Sequence, residues 1–155
     1  MVRKYTVIRD SQEKKGKGWQ FRASANCYGT EIKKIETGDY TLKGYENIFT
    51  IERKGRISEW AANMSQPRFT RELERLAQFK HPYILLEFDM KDLMKYPIGS
   101  GIPKKKWRYI KMKDSLLLKR TLEITVDYGI PIYFCGNFGQ EVAVSLFKRI
   151  IEKNV

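Results

Sequence analysis

The chain has 155 residues, 42% of them hydrophobic, which suits a single domain spanning residues 1–155 with a real core. No apolar run approaches the roughly 18 residues of a membrane span, and residues 1–10 are charged and lack the apolar stretch of a signal peptide, so the expectation is a soluble, cytoplasmic protein. With 30 Lys+Arg against 18 Asp+Glu, the formal charge of +12 favours a polyanionic partner, with nucleic acid ahead of a merely solvated basic surface.

Thr6-Val7-Ile8 reads as a first strand, with Asp10 at its end. Beyond Glu13, Lys14, Lys15, Lys17 and Arg22 surround Gly16, Gly18 and Trp19, and no acid follows before Glu31. This is either a phosphate-contacting loop or a surface loop that tucks Trp19 into the core. Cys27 and Cys135 lack CxxC spacing, so neither zinc nor a disulfide is suggested. Residues 31–36 alternate weakly around Ile32 and Ile35 and read as a strand leading into Gly38-Asp39.

Residues 40–42 and 48–54 read as an antiparallel hairpin about a turn at 43–47, a register that sets Asp39 opposite Glu52. Alternation along the second strand sends Thr50, Glu52 and Lys54 to one face and Phe49, Ile51 and Arg53 to the other. The period then changes. Ile57, Trp60, Ala61 and Met64 predict a helix, and Pro67 opens another, capped by Ser65 or Gln66, with Phe69, Leu73, Leu76 and Ala77 as its stripe. Arg68, Arg71 and Arg75 fall mainly on other faces, where pairing with Glu72 and Glu74 is the simpler reading and phosphate contact the alternative.

His81-Pro82 marks a break, with His81 structural, and residues 83–88 form a strand covered on both faces. Glu87 is either a further acid at the site or a paired edge residue. Residues 93–113 carry seven basic residues and no acidic one, and glycines and prolines mark them as loop. Lys104, Lys105, Lys106, Trp107 and Arg108 are candidate DNA contacts through charge and stacking, or else an exposed insertion anchored by its aromatics. A helix follows from Asp114 or Ser115 to about Tyr128, with Leu118, Leu122 and Thr125 pointing inward and Gly129 past its end. A strand over 130–135 and a last helix with Val142, Ala143, Leu146, Phe147, Ile150 and Ile151 as its stripe complete an α/β pattern with a mixed sheet.

Asp39 and Glu52 supply two hard oxygen ligands for magnesium, and a backbone carbonyl such as that of Arg53 could add a third, leaving positions for water and a phosphate. Lys54 could orient or deprotonate the attacking water, or neutralise charge developing on the phosphate. A surface ion pair is the commoner source of an isolated Glu-x-Lys.

The blocks Asp10-Ser11-Gln12-Glu13, Gly38-Asp39-Tyr40, Glu52-Arg53-Lys54, Arg68-Phe69 with Glu72-Leu73-Arg75-Leu76, and Ile84-Leu85-Leu86-Glu87 resemble the nuclease domain of XPF-type structure-specific endonucleases, especially the stand-alone phage and prophage versions. The resemblance implies a restriction-endonuclease-like mixed central sheet flanked by helices, and Mg2+- or Mn2+-dependent cutting of DNA at flaps, forks or branched junctions during repair or recombination. Carried over, Asp39 and Glu52 are metal ligands, Lys54 is catalytic, and Asp10 supports the site, with Glu13, Glu59 and Glu87 as additional acids.

Three departures stand out. Gln12 replaces the family's arginine, Ser58 stands where an acid is expected with Glu59 one place on, and no helix-hairpin-helix module follows Val155. DNA binding would then rest on the chain's own basic loops or on a partner. The family's dimer surface maps to Tyr133, Phe134, Phe138, Phe147 and Ile151. A catalytically inert DNA-binding scaffold is the rival reading, and a basic RNA-binding protein a third.

Overall fold

A computed structural model describes residues 3–13 and 17–154. Six strands form one mixed sheet in the order β2-β1-β3-β4-β5-β6: β1 (Tyr5–Asp10), β2 (Cys27–Lys33), β3 (Tyr40–Leu42), β4 (Phe49–Lys54), β5 (His81–Leu86) and β6 (Ile132–Phe134). The β1-β3-β4 centre is antiparallel, while β2, β5 and β6 join in parallel. Tyr40 pairs with Ile51, the register expected of the hairpin. Asp39, one residue earlier, donates its N–H to Ile51 O at 2.8 Å and accepts the Asp10 N–H at 2.8 Å, which locks three strands together at that point.

Period-two alternation gives the sheet two apolar faces. On one, Tyr5, Val7, Tyr40, Leu42, Phe49, Ile51 and Leu85 meet α5 (Gly139–Lys153). Phe147 of α5 is its hub, edge-on to Tyr5, Phe21 and Phe49 at 5.6, 5.2 and 5.9 Å. On the other face, Ile84 and Leu86 are covered by α1 (Ile57–Asn63), α2 (Pro67–Leu76), α3 (Met90–Lys95) and α4 (Asp114–Tyr128). Trp60 is wholly buried there, and its indole N–H donates to Thr121 Oγ1 at 2.9 Å. Pro67 occupies the first turn of α2, where its missing N–H costs nothing. Gln66 precedes it without a side-chain cap and instead accepts from Asn63 Nδ2 at 3.1 Å.

Several expectations are corrected. The second strand is residues 27–33 rather than 31–36; it is an edge with Tyr28 and Ile32 exposed, so no buried face impresses an alternation on its sequence. Helix α4 turns Leu117, Thr121 and Ile124 inward, and Leu122 is 55% exposed. Three consecutive leucines, 116–118, leave its phase undefined in sequence, and docking on α3 and α2 settles it. Residues 93–113 are not loop throughout, because α3 runs to Lys95 and a 3-10 helix spans Lys104–Tyr109. Phe147 and Ile151 are core residues and leave the proposed dimer surface. Among the described residues, Arg68, Arg71 and Arg75 make no ion pair with Glu72 or Glu74. Both cysteines are buried and form no disulfide. No described helix is long and apolar enough to cross a membrane.

Candidate active site

Beyond Lys54 the chain leaves the sheet and enters α1 within three residues, which opens a cleft of about 1040 Å³ at the end of β4. Asp39, Glu52 and Lys54 line it, with Gln12, Glu13 and Lys17 along one wall and Arg56, Ser58, Glu59, Asn63 and Arg68 along the other. Glu52 and Lys54 sit two apart on one strand face, and Lys54 Nζ lies 3.4 Å from Glu52 Oε1. The Arg53 N–H donates to Asp39 Oδ2 at 2.7 Å and fixes that carboxylate beside Glu52.

Gly38 makes this approach feasible. Its φ is +87°, and a Cβ there would lie 1.9 Å from Thr50 Oγ1. That hydroxyl donates to Thr37 O at 2.9 Å, so a bare backbone has to pass between Thr50 and the turn into Asp39.

The electrostatics follow from burial. Asp39 is pushed up to about 7 by desolvation and by Glu13, against the Arg53 N–H, Glu52 and Lys54, which pull it down. Glu52 is raised well above the ordinary carboxylate range by burial, Asp39 and Glu72, with Lys54 opposing. For Lys54, burial disfavours the cation, but Glu52, Glu72, Glu59 and Asp39 outweigh it and hold the ammonium above its usual value. The result is a crowded set of acids with one firmly charged lysine.

Arg53 leaves the opposite strand face from Glu52 and Lys54 but also lines the cleft, on the wall of Glu13 and Lys17. It is salt-bridged to Glu87, lies 3.6 Å from Glu13, and donates to Lys17 O, with Trp19 stacked beneath it. Trp19 donates its indole N–H to Glu87 at 3.2 Å and its backbone N–H to Tyr40 Oη at 2.6 Å, and is therefore core. Glu87 is thus a paired residue outside the cleft. Asp10 does not line the cleft, and its Oδ1 accepts the Ile35 N–H at 2.9 Å and holds the loop after β2. Lys14 and Lys15 lie outside the described residues. Lys104, Lys105, Lys106, Trp107 and Arg108 do not line the cleft, and the Trp107 indole is bonded to Ile102 O at 3.0 Å. His81 lies at the far end of β5, where burial, Lys80 and Lys153 lower its pKa.

Two cleft residues were not anticipated. Glu72, on α2 one turn beyond Phe69, lies close enough to Glu52 to raise its pKa, and the Phe69 ring lies 5.2 Å from Lys54 Nζ. The sequence signals for Glu72 are its place in the Arg68-Phe69, Glu72-Leu73-Arg75-Leu76 block of the resemblance and its spacing from Phe69, since i, i+3 residues share a helix face. Asn63, at the end of α1, is buried with Oδ1 unbonded. An asparagine ending an apolar stripe gives no such cue.

A mixed sheet with helices on both faces, and an acid pair with a lysine at the end of its central hairpin, defines the restriction-endonuclease-like α/β class. The ERCC4 domain model matches residues 9–146, and the chain belongs to that family. Its fold is similar to that of XPF from Aeropyrum pernix, with a TM-score of 0.61 and 18% identity over 96% of this chain and 66% of that one. The same protein described as a complex with DNA matches with a TM-score of 0.61 and 17% identity over 97% of this chain and 66% of that one. The chain therefore spans just under two thirds of those structures. No curated protein matches it.

Proposed function

We propose that this chain is a divalent-metal-dependent endodeoxyribonuclease that hydrolyses phosphodiester bonds at flaps, forks or branched junctions. The observation that carries the reading is the convergence of Asp39, Glu52 and Lys54 at the floor of an open cleft rimmed by Lys17, Arg56 and Arg68. Membership of the ERCC4 domain family and the similarity to an XPF structure described with DNA support it.

The residues fit a hard cation. Burial raises the pKa of both carboxylates, with Glu13 adding to it at Asp39 and Asp39 adding to it at Glu52, so a positive charge between them relieves both. Among the described residues no group of three or more His, Cys, Asp or Glu side chains is set to hold a metal, so Asp39 and Glu52 would be the protein's carboxylate ligands and water and substrate the remainder. That incomplete protein shell is usual for Mg2+ and is compatible with Mn2+. The cation, when bound, supplies Lewis-acid polarisation of the scissile phosphate.

The chain's own groups do the rest. The Arg53 N–H holds Asp39 in place. Lys54, kept protonated by four acids, neutralises charge developing on the phosphate and is a poor proton acceptor, which favours electrostatic stabilisation over general-base action. Exposed Tyr133 and Phe138, with Val142 and Leu146 around a 350 Å³ depression beside edge strand β6, suit a homodimer contact.

The test is to incubate labelled flap, fork, four-way junction and linear duplex DNA with the protein and Mg2+ or Mn2+, beside Glu52→Gln and Lys54→Ala. Metal-dependent cutting by wild type, lost in both variants, is expected. No cutting by wild type on any substrate supports the inert-scaffold alternative.

A further inference from the structure

One flank of α2 carries Arg68, Glu72 and Arg75, at i, i+4 and i+7. Each meets a different feature of the same sheet face. Arg68 lines the cleft, and Glu72 lies close enough to Glu52, on the cleft floor, to raise its pKa. Arg75 lines a second depression, of about 530 Å³, whose opposite wall carries Lys33 and Lys34. Ile8 and Thr41 of the sheet, both buried, lie at its floor, beside the part of the sheet that α1 to α4 cover.

The two depressions share a wall, the segment Thr37-Gly38-Asp39, whose first residue faces one and whose last faces the other. Among the described residues, Lys33, Lys34, Arg68 and Arg75 have no ion-pair partner. Two acids, Glu36 and Glu46, also line the second depression, and Glu46 Oε1 already accepts the Gly44 N–H.

Resting on the nuclease reading above, we propose that Lys33, Lys34 and Arg75 form a phosphate-binding station for the cleaved DNA strand, so that the strand runs along α2 from Arg68, past Asp39 and Glu52, to this second depression. Helix rise separates the Arg68 and Arg75 backbones by about 10 Å, a span of a few nucleotides, with the acids between them. Cations on both sides of the acids hold the backbone in register while the acids repel any phosphate not matched by a metal. The station is distinct from Lys17 and from the 3-10 helix Lys104–Tyr109.

The experiment measures binding of fluorescein-labelled single-stranded and flap DNA by anisotropy, with Ca2+ in place of Mg2+, at 50 to 200 mM salt, for wild type and the triple variant K33A/K34A/R75A. K148A/R149A/K153A on α5 removes the same charge from the opposite face of the sheet and serves as control. The station predicts affinity lowered about tenfold or more at 100 mM salt and a salt slope smaller by about 2, at roughly 0.7 per single-strand phosphate. Trimming the DNA on one side of the cut should erase the difference between wild type and variant, and trimming the other side should leave it. Equal loss in the α5 control, an unchanged slope, or a difference insensitive to trimming on both sides overturns the station. Wild-type cleavage in Mg2+ is scored separately: a protein that binds as predicted and cuts nothing refutes the nuclease reading and leaves the station standing.

Discussion

Replacing Asp39 by asparagine should make the metal-free protein more stable, and the gain should depend on pH. The unfolded carboxyl titrates near 3.8 and the folded one near 7, so between those values the fold retains a proton that the unfolded chain has lost. Stability therefore falls as pH rises through that window and levels off above it. At pH 8 the accumulated cost is about 4 kcal/mol, and at pH 5 about 2 kcal/mol or less.

Asparagine keeps the geometry, since its Oδ1 accepts the Arg53 N–H now held at 2.7 Å and its amide can donate to Glu52. Part of the shift is shared with neighbouring carboxylates, so the expected gain at pH 8 is about 2–4 kcal/mol, or roughly 5–15 °C in Tm for a chain of this size. Thermal and urea melts in EDTA at pH 4.5, 6 and 8 measure it. Mg2+ should raise the wild-type Tm at pH 8 and leave the variant unmoved. A variant no more stable than wild type at pH 8, or a gap independent of pH, refutes the account of a charge-strained acid pair.

Gly38→Ala should lose more than about 2 kcal/mol, from the positive φ and the contact with Thr50 Oγ1, read as a lower urea midpoint with unchanged slope. Thr121→Val strands the buried Trp60 N–H and should lose about 1–3 kcal/mol, whereas Thr121→Ser, which keeps the acceptor, should lose less. Lys54→Arg should keep the charge but fail to restore cutting in the space against Phe69, while metal-dependent stabilisation survives in a melt with Mg2+. Phe138→Asp should shift a dimer to monomer in light scattering; an unchanged mass would remove the β6 and α5 face as the contact.

The hairpin was legible because two constraints act on the same few residues: alternation fixes which side chains share a face, and a short turn fixes the register. Asp39, Glu52 and Lys54 needed nothing beyond that. Tertiary contact decides what was missed. Glu72 looks like any solvated helix acid until α2 is laid over β4, and Leu117 is indistinguishable from Leu116 or Leu118 until α3 and α2 dock. Strand β2 hid for the opposite reason, since an edge strand with exposed Tyr28 and Ile32 has no core to record. That Asp10 Oδ1 accepts the Ile35 N–H depends on where the loop after β2 folds back, which no local pattern records.

The Glu52-Arg53-Lys54 tripeptide divides labour by parity. Its outer members place a carboxylate and an ammonium in the cleft, while Arg53, which also lines it, ties Glu13, Lys17 and Glu87 into one bundle. Chemistry and scaffolding are therefore written into consecutive codons and meet at the same cleft. Loss of Arg53 would untie the N-terminal segment without removing a carboxylate, whereas loss of Glu52 would leave that bundle intact. A single inserted residue in β4 would exchange the two sides at once, so the strand can tolerate changes of identity far better than changes of length.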